Sequence, residues 1–312
     1  MMEKMKLGGP LHEYTHWFSQ LYAVASTDKK YFDWLISNII KINYDEDTVQ
    51  SFIKEKCLVF DSIPPCISIK CIDKEVFDVL GNSLDELINY ALSNNLYILI
   101  DVDPYYIPKF NMYNRKHSIT SVLVYGKKNK SYYLGAHCNF PHHKYSKIVC
   151  SQDIIIKSFE SLNDYYCNNN LKQKINLLTF TPNQLNFNLY QLKHILFEYK
   201  QELQNLYDSE NVVEKLYDLT QSEKKVNFWI IDSLVEHYWI VLLRYIYLRK
   251  RKIVFHSFSL LKTIIDSLLK CMLLKKYNNE IRSNQLKTIK NIFAKLKNNE
   301  IVIVEKMLLL IK

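Results

Sequence analysis

An α+β domain followed by an all-α helical domain is the fold class this sequence predicts, on three observations. Between Leu96 and Leu134 lie three apolar segments rich in β-branched and aromatic residues, separated by polar turns, which is strand patterning. Segments with helical spacing and good cap residues flank them on both sides. Beyond Asn188 the pattern is helical almost throughout. The expected domains are therefore 1–170 and 171–312, with Leu171–Asn188, which contains Pro182, marking the change of character.

Each element has its own local reason. After the Gly8-Gly9-Pro10 breaker, Leu11 to Ala25 begins a helix. Asp28 is a suitable N-cap for a second helix over 29–42, in which Tyr31, Trp34, Leu35, Ile39 and Ile42 recur at core spacing. Thr48 to Lys56 reads as a short helix, and the residues around Pro64-Pro65 read as short extended pieces. Ser83-Leu84-Asp85-Glu86 forms a capping box that opens a helix to about Ser93. The apolar run from Leu96 is a buried strand that stops at or just before Asp103, ahead of Pro104. A polar, aromatic loop through Tyr105, Tyr106 and Tyr113 reaches His117. Ser121 to Gly126 is the second strand, Lys127-Lys128-Asn129-Lys130 the turn, and Ser131 to Leu134 the third strand. Ser151-Gln152-Asp153 then caps a helix to about Cys167. The later helices are expected over 189–207, 209–219, 222–249, 256–277, 280–298 and 300–311.

Composition removes several function classes. With 312 residues, 48% hydrophobic and 23% charged, the chain is globular and large enough for a sizeable core. Only 5 glycines are present, and neither GxGxxG nor GxxxxGK[ST] occurs, so dinucleotide and P-loop chemistry lack their signatures. The 7 cysteines form no CxxC pair, which fits reduced thiols in a cytoplasm better than a disulfide framework or structural zinc. No cofactor is expected. Met1 to Pro10 has charges and no apolar core, so no signal peptide is expected there. Phe228 to Leu248 is interrupted by Asp232, Glu236, His237 and Arg244, which suits a bundle helix and not a membrane span. The net charge is +9, densest at Arg244, Arg249, Lys250, Arg251 and Lys252. No base-reading motif accompanies it, so nucleic acid is not the expected partner.

Few residues carry chemistry. His117 enters one strand of a hairpin, with Asp101 and Asp103 ending the strand before it. The two aspartates could hold a metal, and spacing i, i+2 equally marks a polar strand end in solvent. His137, Cys138, His142 and His143 are soft-ligand types at a spacing that fits no zinc pattern. Tyr105, Tyr106 and Tyr113 can line a substrate groove or simply cover the sheet.

Order and spacing together carry a resemblance. Tyr97-Ile98-Leu99-Ile100-Asp101-Val102-Asp103-Pro104-Tyr105-Tyr106 follows a helix, and His117 opens Ser121-Val122-Leu123-Val124-Tyr125-Gly126. Tyr132-Tyr133-Leu134 comes next, then a helix around Ile154–Asn163. Over residues 1–165 this resembles the N-terminal domain of the butirosin-biosynthesis protein H family, a papain-like fold of the bacteriocin-processing-peptidase type. The helical region resembles that family's C-terminal part in character only. The resemblance implies a cysteine nucleophile near the N-terminus, a histidine base and an aspartate orienting it. It also implies peptidases, or acyltransferases that move an acyl chain from a carrier-protein thioester to an amine in peptide or aminoglycoside natural-product biosynthesis.

His117 matches the family histidine, and the other two roles depart. Tyr14-Thr15-His16-Trp17-Phe18-Ser19-Gln20-Leu21, where the nucleophile belongs, has no cysteine; the first in the chain is Cys57. The aspartate's place falls at His137, within Gly135-Ala136-His137-Cys138-Asn139. The resemblance therefore implies His117 as base, Asn139 as its orienter, Ser19 (or Thr15 or Cys138) in the nucleophile's place, and Tyr105, Tyr106 and Tyr113 along the substrate. A hydroxyl is a far weaker nucleophile than a thiolate at neutral pH. The expectation is thus a degenerate accessory protein that binds an acidic acyl carrier protein through 244–252. The alternatives are an active acyltransferase or amidase with a relocated nucleophile, and a plain interaction protein that works through its helical half. Self-association stays open.

Overall fold

The computed structural model describes residues 4–10, 16–38, 43–44, 58–59, 63–139, 144–169, 172–208 and 228–251, together with short helical stretches near the C-terminus. These residues form two compact units. One is made of 1–32 and 63–186, the other of 33–62 and 187–312.

The first unit is α+β. Its helices are α1 (His16–Ala25), α3 (Lys74–Val79), α4 (Leu84–Ser93), α5 (Gln152–Glu160) and α6 (Asn163–Asn168). Its strands are β3 (Ile67–Asp73), β4 (Leu96–Val102), β5 (Thr120–Lys128), β6 (Ser131–Asn139), β7 (Lys144–Ser151) and β8 (Lys174–Phe180). They make one six-stranded sheet in the order β3-β8-β4-β5-β6-β7, with antiparallel pairing throughout.

β4 and β5 are the apolar heart of the sheet, because Ile98, Leu99, Ile100, Val102, Val122, Leu123 and Val124 are all buried. A strand with apolar residues on both faces must be covered on both. Helix α4 supplies part of that cover through Leu84, Ile88, Ala91 and Leu92, and α5 through Ile155 and Phe159. The capping box of α4 forms as its sequence predicts. Ser83 accepts from the Glu86 amide, and the Glu86 carboxylate accepts from the Ser83 amide. The turn between β5 and β6 is shorter than expected, because β5 runs to Lys128; Asn129 takes the left-handed conformation at φ 54°.

Four differences from the sequence reading have physical causes. β8 lies between β3 and β4, so a boundary at 170 would cut out a central strand; the unit closes at 186 instead. Lys174–Phe180 shows clean alternation only in its first residues, and Pro182 lies two residues beyond its end. β6 continues past Leu134 to Asn139, and β7, whose lysines mask its alternation, pairs along its whole length. The helix expected over 151–167 is two, α5 and α6, separated by Ser161-Leu162.

In the second unit the described helices are α2 (Tyr31–Asn38, which spans the division between the units), α7 (Leu189–Asp208) and α8 (Phe228–Lys250). A short antiparallel pair, β1 (Asn43–Tyr44) with β2 (Leu58–Val59), joins them, so the described part of this unit is not purely helical. The helices expected over 48–56, 209–219, 256–277 and 280–298 lie outside the described residues or nearly so. No described helix is long and apolar enough to cross a membrane.

Candidate functional site

An antiparallel hairpin brings the end of its first strand beside the start of its second, and this places the site. Val102 at the end of β4 pairs with Thr120 at the start of β5. Asp103 and His117 therefore meet just beyond the last rung. The His117 ring places Nδ1 at 2.6 Å from Oδ2 of Asp103. Ionised Asp103 can only accept, so Nδ1 is the donor and Nε2 is left as the basic nitrogen.

Asp103 is held from all sides. It caps the turn Pro104–Tyr106, with Oδ1 accepting from the Tyr105 amide at 3.0 Å and the Ser118 amide at 3.3 Å. Its own amide donates to the Ser158 carbonyl, and Ser158 Oγ donates to its carbonyl at 2.5 Å. Pro104 cannot continue the ladder, so the chain turns there. The two members of the pair differ in exposure: the Asp103 side chain is 3% exposed and that of His117 63%. The Tyr105 ring stacks on His117 with centroids 4.0 Å apart, and Tyr106 meets the same ring edge-on at 5.9 Å. Tyr113, more than a third exposed, shares no ring contact with them. The outcome is a fixed imidazole whose Nε2 face is open.

Asp101, two residues back, is not a free strand-end carboxylate. Ser121, its partner across the ladder, donates to Oδ1 at 2.6 Å, and the Tyr166 hydroxyl donates to Oδ2 at 2.8 Å. Burial pushes its carboxyl above the ordinary range, opposed by those two hydrogen bonds.

Ser19 has a different partner from the one its sequence position implies. Its hydroxyl lies 2.6 Å from Nε2 of His137, and both residues are buried. Around them Tyr145, opposite His137 on β7, turns the edge of its ring to the imidazole and donates its hydroxyl to Gln20 Oε1 at 3.1 Å. Gln20 Nε2 in turn donates to the Ser121 carbonyl. Gly135 makes this packing possible, because a Cβ there would lie 2.0 Å from the Tyr145 hydroxyl and 2.9 Å from Leu7. His117 thus engages Asp103 and not Ser19.

Asn139 ends β6, and its side chain is outside the described set, as are Thr15, His142 and His143. The residue that holds the His117 ring is Asp103, in place of the expected Asn139. Its signal was present: an Asp-Pro at a strand end caps the turn that follows, and hairpin pairing must bring it to the next strand's entry. Cys138 is buried, and desolvation pushes its thiol upward, against weaker pulls from Ser146 and Lys109. Burial acts likewise on Cys150, pushed up to about 11, and on Cys66, pushed up to about 12. Among the described residues no three His, Cys, Asp or Glu side chains gather as a metal site.

The basic 244–252 segment is less of a surface than its sequence suggests. Arg244 is buried and donates from Nε to the Ile36 carbonyl at 2.9 Å. Arg251 pairs with Asp33 at 3.4 Å and lies over the rings of Phe187 and Tyr247. Arg249 and Lys250 are exposed, and Lys252 is outside the described residues.

No family model and no curated protein matches this sequence. The crystal structure of a C39-like peptidase from Bacillus anthracis is similar at 15% identity over 35% of this chain, with a TM-score of 0.23. The similarity spans half of that chain.

Proposed function

We propose that the first unit is a papain-like domain of acyl-transfer ancestry, belonging to peptide or aminoglycoside natural-product biosynthesis. In this reading it retains the base and its orienter, has lost the nucleophile, and serves as an accessory, carrier-protein-binding component. The observation that carries it is the His117–Asp103 pair, a solvent-facing imidazole fixed by a buried carboxylate. That is the base-and-orienter half of a nucleophilic triad. Among the described residues the other half has no good candidate: Ser19 is buried against His137, and burial disfavours the thiolate of Cys138.

The open Nε2 face favours a second reading, an acyltransferase in which the acceptor amine is itself the nucleophile. His117 would take the proton from the amine as its nitrogen attacks the thioester carbonyl. The carbon–sulfur bond then breaks, and the departing thiolate receives that proton.

Intact-protein mass spectrometry with a panel of acyl thioesters and amine acceptors separates the two. The accessory reading expects no covalent adduct and no amide product. Amide formation without an adduct, abolished in His117→Ala, would establish the second reading. An adduct mapped to Ser19 would overturn both.

A further inference from the structure

From Pro104 to Gln152 the sequence contains no Asp or Glu, but seven Lys and one Arg. This charge is used unevenly. Lys127 is paired with Asp85, and Lys147, opposite Gly135 in mid-strand, donates to the Leu7 carbonyl, whereas Lys128 and Lys130 at the β5–β6 turn are exposed with no ion pair among the described residues. Around His117 the cations have no such partners. Lys109, Arg115 and Lys116 are exposed, and no acidic side chain lies within ion-pair distance of them among the described residues.

The loop carrying these cations is folded and not a tail. The amides of Ile107, Phe110, Tyr113 and Lys116 donate to Pro104, Ile107, Phe110 and Met112 in succession, and the Asn114 amide closes back on the Tyr105 carbonyl. Asn114 adopts φ 54°, a conformation asparagine tolerates. Met112 and Tyr113, which lie between Lys109 and Arg115 in sequence, are exposed as well. The loop thus exposes two large apolar side chains and three cations within eight residues of chain, on a backbone already folded by its own hydrogen bonds.

We propose that loop 104–117 is a docking site for an acidic protein surface, with Lys109, Arg115 and Lys116 meeting carboxylates around a contact centred on Met112 and Tyr113. This deepens the accessory reading above, in which the partner is an acidic carrier protein, and it moves the docking face from 244–252 to the rim of the His117 site. Charge complementarity names the occupant, since clustered cations without counter-charges repel one another until an acidic surface relieves them. Single-stranded nucleic acid would answer the charge too, but it binds by stacking bases on free ring faces. Here His117 covers a face of Tyr105, and Lys157 lies 4.6 Å from the centre of the Tyr106 ring. Those rings are already engaged, which favours the protein partner.

The test is fluorescence anisotropy with the full chain and two labelled probes, an acidic apo acyl carrier protein and a uridine oligonucleotide, at low and at physiological salt. The variants are Lys109→Glu/Arg115→Glu/Lys116→Glu and Arg249→Glu/Lys250→Glu, each checked for native circular dichroism. The expected result is carrier binding that weakens with salt, falls by about ten-fold or more in the loop variant, and persists in the helix variant. Loss only in the helix variant would overturn this site and leave the carrier-binding reading intact. Binding of the oligonucleotide in place of the carrier, or of neither probe, would overturn both.

Discussion

Two histidines at the same end of the sheet hold opposite kinds of partnership. His137 is buried with Ser19, and the pair is locked by Tyr145 and Gln20. His117 is mostly in solvent, and only its orienting carboxylate is buried. A group that must exchange protons with a ligand needs one open nitrogen and one fixed one, which His117 has. A group whose donors and acceptors are met inside the core contributes order instead. The lesson is that residue type and order along the chain single out both histidines, whereas exposure separates their roles.

The largest effect that could break this comparison is at His137. His137→Ala removes a buried ring together with its hydrogen bond to Ser19, so it should destabilise the protein by about 2–4 kcal/mol. Urea unfolding followed by circular dichroism measures this. A loss below about 1 kcal/mol would mean that the pair is not a packed structural element. Ser19→Ala, which removes the hydroxyl's hydrogen bond to His137 and keeps the ring's bulk, should cost about 1–2 kcal/mol.

Asp103→Ala comes next, at about 2–3 kcal/mol. The carboxylate accepts from two backbone amides as well as from His117, so its removal frees three donors at once. Asp103→Asn keeps the shape and should recover part of the loss. Equal costs for Asp103→Ala and His117→Ala would show that the pair itself is the structural element, and the division between fixed and open partner would fail.

A third polar cluster, at the far end of β5, sharpens the contrast because its hydrogen bonds join α4 to β5 and β6. Asp85 accepts from Lys127 at 2.5 Å, from Asn89 at 3.0 Å and from the Tyr132 hydroxyl. Burial alone would raise its carboxyl, but those hydrogen bonds outweigh it and hold it below the ordinary value. A lowered carboxylate pKa adds stability that is complete above the unfolded value of about 3.9 and is lost as pH falls through the folded one. Asp85→Asn should therefore cost about 1 kcal/mol at neutral pH and progressively less below about pH 4. Unfolding free energies of the variant and wild type, measured across that range, should converge on acidification. A constant difference would mean that the charge is not what Asp85 contributes.

The extent to which this was legible in the sequence follows from how local each signal is. The Ser83–Glu86 capping box and the strand from Leu96 are local, and both stand as read, while β5 starts at Thr120 and leaves His117 in the segment before it. β8 was illegible because its place between β3 and β4 depends on pairing across more than a hundred residues on one side and more than seventy on the other. The geometry of the candidate site divides in the same way. His117 stands out by its position, but its pairing with Asp103 follows only from the antiparallel hairpin that joins 103 to 117. Positional analogy pointed instead to 137–139, where β6 turns His137 inward toward α1. The burial of Arg244 was equally hidden, since in a basic run every residue reads as surface.

The smallest expected effect is the most discriminating. His117→Ala should change stability by less than about 1 kcal/mol, because the ring is mostly exposed and exposed pairs contribute little. A ring that costs so little to remove is fixed by Asp103 without being needed by the core. Its tautomer then reports its role. Nitrogen-15 chemical shifts of the neutral ring should show the proton on Nδ1, donated to Asp103, with Nε2 bare and able to accept a proton from a ligand. In Asp103→Asn an amide can donate to Nδ1 and reverse that preference, moving the proton to Nε2 without opening the fold. If the wild-type ring already carries its proton on Nε2, His117 cannot serve as a base on its open side, and the contrast with His137 becomes one of exposure alone.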